Sequence, residues 1–184
     1  MTEKKTRTII LTALLAALTT VATMVIRIPT PTLGYIHLGD GMVLICGILL
    51  GPGLGAAAAG IGSMLADLFA GAVAYMPGTL VIKALTALVG GWVYHRLAGH
   101  ASLRTPVRVA IAGIPAELVM VAGYFVYEAG MQIVAGSTVG AAAAAMLAGV
   151  PFNIVQGLAG IIVGAVLLPV LSHASAEMDA RIKT

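Results

Sequence analysis

Residues 41–72 read GMVLICGILLGPGLGAAAAGIGSMLADLFAGA, and the number of times this stretch crosses a bilayer decides the fold. Gly51-Pro52-Gly53 cuts it, because a proline between two glycines interrupts a helix and favours a turn. What remains is a short apolar run at 41–51 and a fuller one at 54–72. The short run falls below the ~20 residues of a perpendicular span and, taken by itself, reads equally as re-entrant. Charge decides the parity. Eight of the ten basic residues lie in three clusters: Lys4, Lys5 and Arg7; Arg96, Arg104 and Arg108; Arg181 and Lys183. Cytoplasmic loops collect Lys and Arg, so with all three clusters inside, the crossings between neighbouring clusters must be even in number. Spans at 8–26, 41–51, 54–72 and 79–95 give four, whereas one span over 41–72 gives three and puts the Arg96–Arg108 loop outside. The expected fold is therefore an all-α bundle of six transmembrane helices in one domain over 1–184, both termini cytoplasmic, completed by spans at 107–127 and 152–171.

Outward from that stretch the composition agrees. The chain is 60% hydrophobic with only 9% charged residues, against roughly 25% charged in soluble domains, so bilayer is the expected solvent. The net charge of +3 comes from residues that flank apolar runs and form no stripe, which excludes a nucleic-acid protein. The 23 glycines and many alanines suit helices that pack backbone to backbone. The single cysteine, Cys46, excludes an intramolecular disulfide and says nothing of redox compartment. The run 8–26 follows basic residues as a secretion signal would, but at about 19 residues, with further spans behind it, it reads as a retained helix. The Ala- and Gly-rich stretch before Pro151 reads as a short outer helix near 138–148 followed by the last span, in preference to one long kinked helix. The tail from Ser172 reads as a short soluble end. No GxxxxGK[ST] loop is present, so the chain is not expected to hydrolyse ATP.

Polar residues inside apolar runs are costly in hydrocarbon and mark candidate sites. Asp67 and Lys83, near the outer ends of the third and fourth spans, match in depth and read as an ion pair or as ligand contacts. Glu117 lies ~15 Å into the fifth span, with no basic residue at its depth, so it is protonated, bonded internally or facing a wet pocket. Pro115 nearby frees a backbone carbonyl. Asn153 and Gln156 share a helix face, and their amides suit either a heteroaromatic ligand edge or helix–helix contact. Tyr124, Tyr127 and Glu128 read as interfacial anchors or as pocket wall, and Trp92 as an anchor. The loop 27–40, RIPTPTLGYIHLGD, gathers Tyr35, His37 and Asp40. It is either a connector stiffened by Pro29 and Pro31, turning at Gly34 and Gly39, with Asp40 capping the next helix, or a lid over an outward pocket. His37 and Asp40 lack a third and fourth ligand, so no metal site is expected. Ala13 and Ala17, with Ala16 beside them, mark close helix contact, within the bundle or with a partner.

Four features together carry a resemblance: Ala13-xxx-Ala17, the block GYIHLGDGMVLICGILLGPGLGAAAAGIGSMLADLFAG (34–71), PGTLVIKALTALVGG (77–91) and PFNIVQGLAGIIVG (151–164). The chain resembles, over essentially its whole length, the substrate-binding S component of the energy-coupling factor (ECF) vitamin transporters. The resemblance implies a six-helix bundle of the cell membrane that is not an enzyme, binds no cofactor and holds a small nutrient in an outward pocket closed by loops. It implies two kinds of partner, a membrane-embedded coupling T component and two cytoplasmic ATPase subunits that use the ATP. In that scheme the loaded S component topples in the membrane, Ala13 and Ala17 dock on the coupling protein, and loop 27–40, with Tyr35, His37 and Asp40, forms the gate together with the segment before the last helix. Glu117, Asn153 and Gln156 fall in pocket-lining regions, with Tyr124, Asp67 and Lys83 as further substrate contacts. The block at 34–71 looks most like the hydroxymethylpyrimidine, pyridoxine and riboflavin branch. With 5% aromatic residues, a small pyrimidine or pyridine is favoured over the isoalloxazine of riboflavin, and Lys83 leaves room for an acid such as pantothenate. The rival readings are a stand-alone facilitator or secondary carrier, although no inverted repeat is evident, and a non-transporting membrane scaffold.

Overall fold

The structure, a computed structural model, describes residues 3–30, 35–97 and 103–182, with the backbone alone for 3, 4 and 173–182. Pro31, Gly34 and Lys183 lie outside the described residues. Helix α1 (Glu3–Val25) leads into a hairpin of β1 (Arg27–Pro29) and β2 (Tyr35–His37), and then into α2 (Asp40–Leu49) and α3 (Pro52–Phe69). A 3₁₀ turn at Val73–Tyr75 opens α4 (Met76–Arg96), and α5 (Thr105–Val134), α6 (Val139–Met146) and α7 (Val150–Ile182) complete the chain. Six of these, α1–α5 and α7, form an all-α bundle, and among the described residues five helical segments are long and apolar enough to cross a membrane.

The exception is α2. Its ten residues span ~15 Å, half a bilayer core. It is apolar all round and buried from Asp40 to Ile48, as a helix enclosed by others must be. It packs against α1, α3, α4 and α7. The turn behind it works because Gly51 takes φ +80° and Pro52 supplies the first turn of α3.

Small residues let the backbones meet. A Cβ on Gly47 would lie 2.1 Å from the Ala87 carbonyl oxygen, and one on Gly62 would lie 2.4 Å from that of Ala16. Contacts this close give dispersion and carbonyl interactions where lipid supplies no hydrophobic drive. The Thr20 hydroxyl adds a 2.8 Å bond to the Gly62 carbonyl, stitching α1 to α3. Val43, Ile45 and Cys46 of α2 centre the core with Ala58, Ala59, Ala87 and Val109, while Ile9, Leu14, Leu118 and Val166 face outward.

Three boundaries differ from the sequence reading. Loop 27–40 contains a strand pair with Arg27 opposite His37 and Pro29 opposite Tyr35. Helix α5 continues through Pro115 to Val134 instead of stopping at 127, which puts Glu128 on its buried face. The backbone from Ser172 to Ile182 is helical and continues α7 beyond 171. Helices α6 and α7 are joined by a 3₁₀ turn at Leu147–Gly149, with Pro151 in the first turn of α7.

Candidate functional site

One polar cavity lies where the hairpin meets the ends of four helices. Strand β2 contributes Tyr35 and His37, α3 contributes Asp67, the 3₁₀ turn contributes Tyr75, and the first turn of α4 contributes Thr79. Tyr124 and Glu128 come from α5, and Asn153 and Gln156 from the first turns of α7. The free space is about 20 Å³, room for about one water.

The side chains are held by one another. Tyr35 donates its hydroxyl to Asp67 at 2.6 Å, and burial, followed by this bond to a carboxylate, raises the phenol's pKa. Tyr75 donates to Glu128 at 3.3 Å, and the hydroxyls of Thr79 and Tyr124 bond at 3.0 Å. The second oxygen of Asp67 has no partner among the described residues, although it is buried. His37 accepts the Gly39 N–H on Nδ1 at 3.0 Å, which leaves Nε2 to carry the proton. Burial, and then the charge of Lys83, push its pKa from 6.5 down to about 3, so the ring is neutral.

Beneath this lining the expected ion pair has a different partner. Lys83 pairs with Asp40, not Asp67, and both side chains are fully buried. The reason is α2: a short helix set deep in the bundle brings its first residue beside α4, so Asp40 is a core residue and not a loop residue. Nor does Asp40 cap its helix, since no side-chain bond caps α2. The Gln156 amide joins the pair to the hairpin, donating to Asp40 Oδ2 at 2.6 Å and accepting the His37 N–H at 3.0 Å. The Lys83 ammonium also sits 5.2 Å from the Tyr124 ring centre, a cation–π distance.

Of the residues singled out from sequence, Tyr35, His37, Asp67, Tyr124, Asn153 and Gln156 come together at the cavity. Lys83 and Asp40 sit behind it. Tyr124 and Glu128 are buried cavity wall and not membrane anchors, whereas Tyr127 donates to the Ala74 carbonyl at 2.7 Å. Glu117 is not brought in. It lines an apolar groove between α5 and α7 with Ile114, Leu118 and Ile161, and neither carboxyl oxygen has a hydrogen-bond partner among the described residues. Ala13 and Ala17 are exposed on a separate apolar groove between α1 and α3, with Leu54, Ala57 and Ile61 opposite. Sequence reading missed Thr30, Tyr75 and Thr79 as lining residues. Tyr75 and Thr79 were marked only by the Pro77-Gly78 pair between them at the start of α4, and Thr30 only by the prolines on either side of it. No group of three or more His, Cys, Asp and Glu suited to a metal occurs among the described residues.

Three comparisons bear on the chain. A family profile described as "ECF-type riboflavin transporter, S component" matches residues 3–173. A Pyrococcus woesei protein, "Uncharacterized protein in gap 3'region", is 36% identical over 106 residues, covering 57% of this chain and 67% of that protein. A solved structure reported under "Structure and mechanism of the S component of a bacterial ECF transporter" superimposes with a TM-score of 0.63 at 20% identity, over 92% of this chain and 97% of that one. At that identity the likeness shows the fold.

Proposed function

The chain belongs to the S-component family of ECF-type riboflavin transporters, multi-pass membrane proteins for uptake of a small vitamin, and from that premise we propose a substrate and a site. The substrate is a small flat nitrogen heterocycle with hydroxymethyl groups, a hydroxymethylpyrimidine or pyridoxine, bound between the paired strands β1 and β2 and the ends of α3, α4, α5 and α7. The observation that carries the reading is the convergence on one cavity of two carboxyls, two amides, a neutral imidazole and three tyrosines. Hydroxyls of the ligand donate to Asp67 and Glu128, ring edges meet Asn153 and Gln156, and tyrosine faces cover the ring. A cavity of about 20 Å³ cannot hold such a ring, so the hairpin swings out on loading and closes over the ligand. Pantothenate fits less well, because Lys83 is taken by Asp40 and the charged residues lining the cavity are acidic. Riboflavin is the second reading, favoured by the description of the matching family profile.

Uptake on this reading needs a coupling T component and two ATPase subunits, with both termini cytoplasmic as the basic clusters require. The exposed wall of Ala13 and Ala17 is the docking face. Radiolabelled-vitamin uptake in cells, with and without coupling subunits, tests this. Ala13→Trp and Ala17→Trp should abolish uptake and leave binding intact. Uptake by the purified chain alone in liposomes would instead make it a stand-alone carrier.

A further inference from the structure

Asp40 and Lys83 are not among the residues lining the polar cavity, yet the pair is fully buried and one Asp40 oxygen is given to Gln156. We propose that Asp40 and Lys83 are positioning residues that fix the Gln156 amide with its carbonyl oxygen toward the gate and the cavity. The site thereby selects ligands offering a hydrogen-bond donor at that edge. The inference rests on the cavity being the substrate site.

The orientation follows from chemistry on both sides of the amide. A carboxylate paired with an ammonium is an acceptor only, so the group facing Asp40 Oδ2 must be the Gln156 NH₂. A backbone N–H is a donor only, so the group facing His37 must be the Gln156 oxygen. The two bonds, 2.6 Å and 3.0 Å, agree with one amide orientation and forbid the other. A carbonyl oxygen accepts two donors, and His37 uses one. The remaining lone pair of a side chain that lines the cavity is what a ligand meets. Lys83 holds the other Asp40 oxygen and is engaged with the Tyr124 ring, so Asp40 cannot turn away. The same amide ties β2 to the core, and the latch on the gate and the selectivity of the edge are therefore one device.

Asp40→Asn inverts it. The oxygen of the substituted amide stays on the Lys83 ammonium, a donor only, and its NH₂ faces Gln156, whose own amide must turn and set NH₂ against the His37 N–H. Hydrogen exchange at the His37 amide, followed by NMR in nanodiscs, should then accelerate about tenfold or more while α2 and α4 keep their protection. Binding of 4-amino-5-hydroxymethyl-2-methylpyrimidine against its 4-oxo counterpart should shift toward the oxo compound by about tenfold. Adding Gln156→Glu to Asp40→Asn offers acceptors on both sides and should restore His37 protection, a rescue that loss of packing does not give. Unchanged His37 exchange in Asp40→Asn, or no rescue by Gln156→Glu, overturns the proposal. If Asp40→Asn does not fold, Gln156→Leu must speed His37 exchange in an otherwise protected bundle, and failure to do so overturns it equally. Should neither pyrimidine bind the unaltered chain, the substrate reading falls, while the exchange arm still judges the latch.

Discussion

Replacing Lys83 by Met removes the cation of a fully buried pair and keeps the side chain's length. Asp40 then retains one charge-assisted donor, the Gln156 amide at 2.6 Å, with no cation to offset its transfer from water. Breaking one half of a buried pair costs about 3–5 kcal/mol, against roughly neutral for replacing both members by apolar groups of similar volume. The bond to Gln156 argues for the low end in Lys83→Met. Asp40→Leu, which takes from the ammonium its one ion-pair partner among the described residues and leaves it a tyrosine face at 5.2 Å, should lie at the high end. For a chain of this size 1 kcal/mol moves Tm by about 2–4 °C, so Lys83→Met should fall by about 6–12 °C. The Asp40→Leu/Lys83→Met double variant should recover most of that loss. The assay is thermal unfolding in one detergent at one scan rate, because such melts are irreversible and rate-dependent. A double variant whose loss equals the sum of the two single losses has no coupling between the sites, and that result refutes the pair as the organiser of this core.

Acid should loosen the hairpin. His37 has a lower pKa folded, about 3, than free, 6.5, through burial and then Lys83, opposed by Asp40. The unfolded or opened hairpin binds the extra proton, so closure is fully stable above about pH 6.5 and weakens as pH falls toward 3. The groups facing the ring are Tyr35, Asp40 and Lys83. Hydrogen exchange over residues 35–38 should rise as pH drops through that window, after correction for intrinsic rates, and His37→Gln should remove the trend. Close packing gives a further contrast: Gly47→Ala sets a methyl 2.1 Å from a backbone oxygen, whereas Gly53→Ala meets nothing within 4 Å. Gly47→Ala should lose about 1–3 kcal/mol of stability, and Gly53→Ala should melt like the unaltered chain.

The bundle was legible because its signals are local. Apolar runs, Gly51-Pro52-Gly53 and the three basic clusters each act within a few residues, and together they give six helices. The pairing of charges was not legible. Depth along the helices matched Asp67 to Lys83, but depth along a helix does not say which face points inward or where a ten-residue helix lodges. Asp40 therefore took the lysine, and Asp67 took the hydroxyl of Tyr35. Glu117 drew attention as a carboxyl at mid-membrane, yet its direction depends on the rotation of α5, which its nearly uniform apolar sequence leaves unmarked. Thr79 and Tyr75 carry no charge and stand out only once the helix ends are assembled around them.

The most direct measurement is calorimetric binding of a vitamin panel by the detergent-purified chain and its cavity variants. A hydroxymethylpyrimidine or pyridoxine should bind, with affinity reduced about tenfold or more by Asp67→Asn, Glu128→Gln and Asn153→Ala, each of which alters a proposed polar contact to the ligand. Glu117→Gln should leave it within about twofold, since that side chain faces the α5–α7 groove. Affinity that falls with Glu117→Gln and is indifferent to the three cavity changes would contradict a substrate site beneath the hairpin.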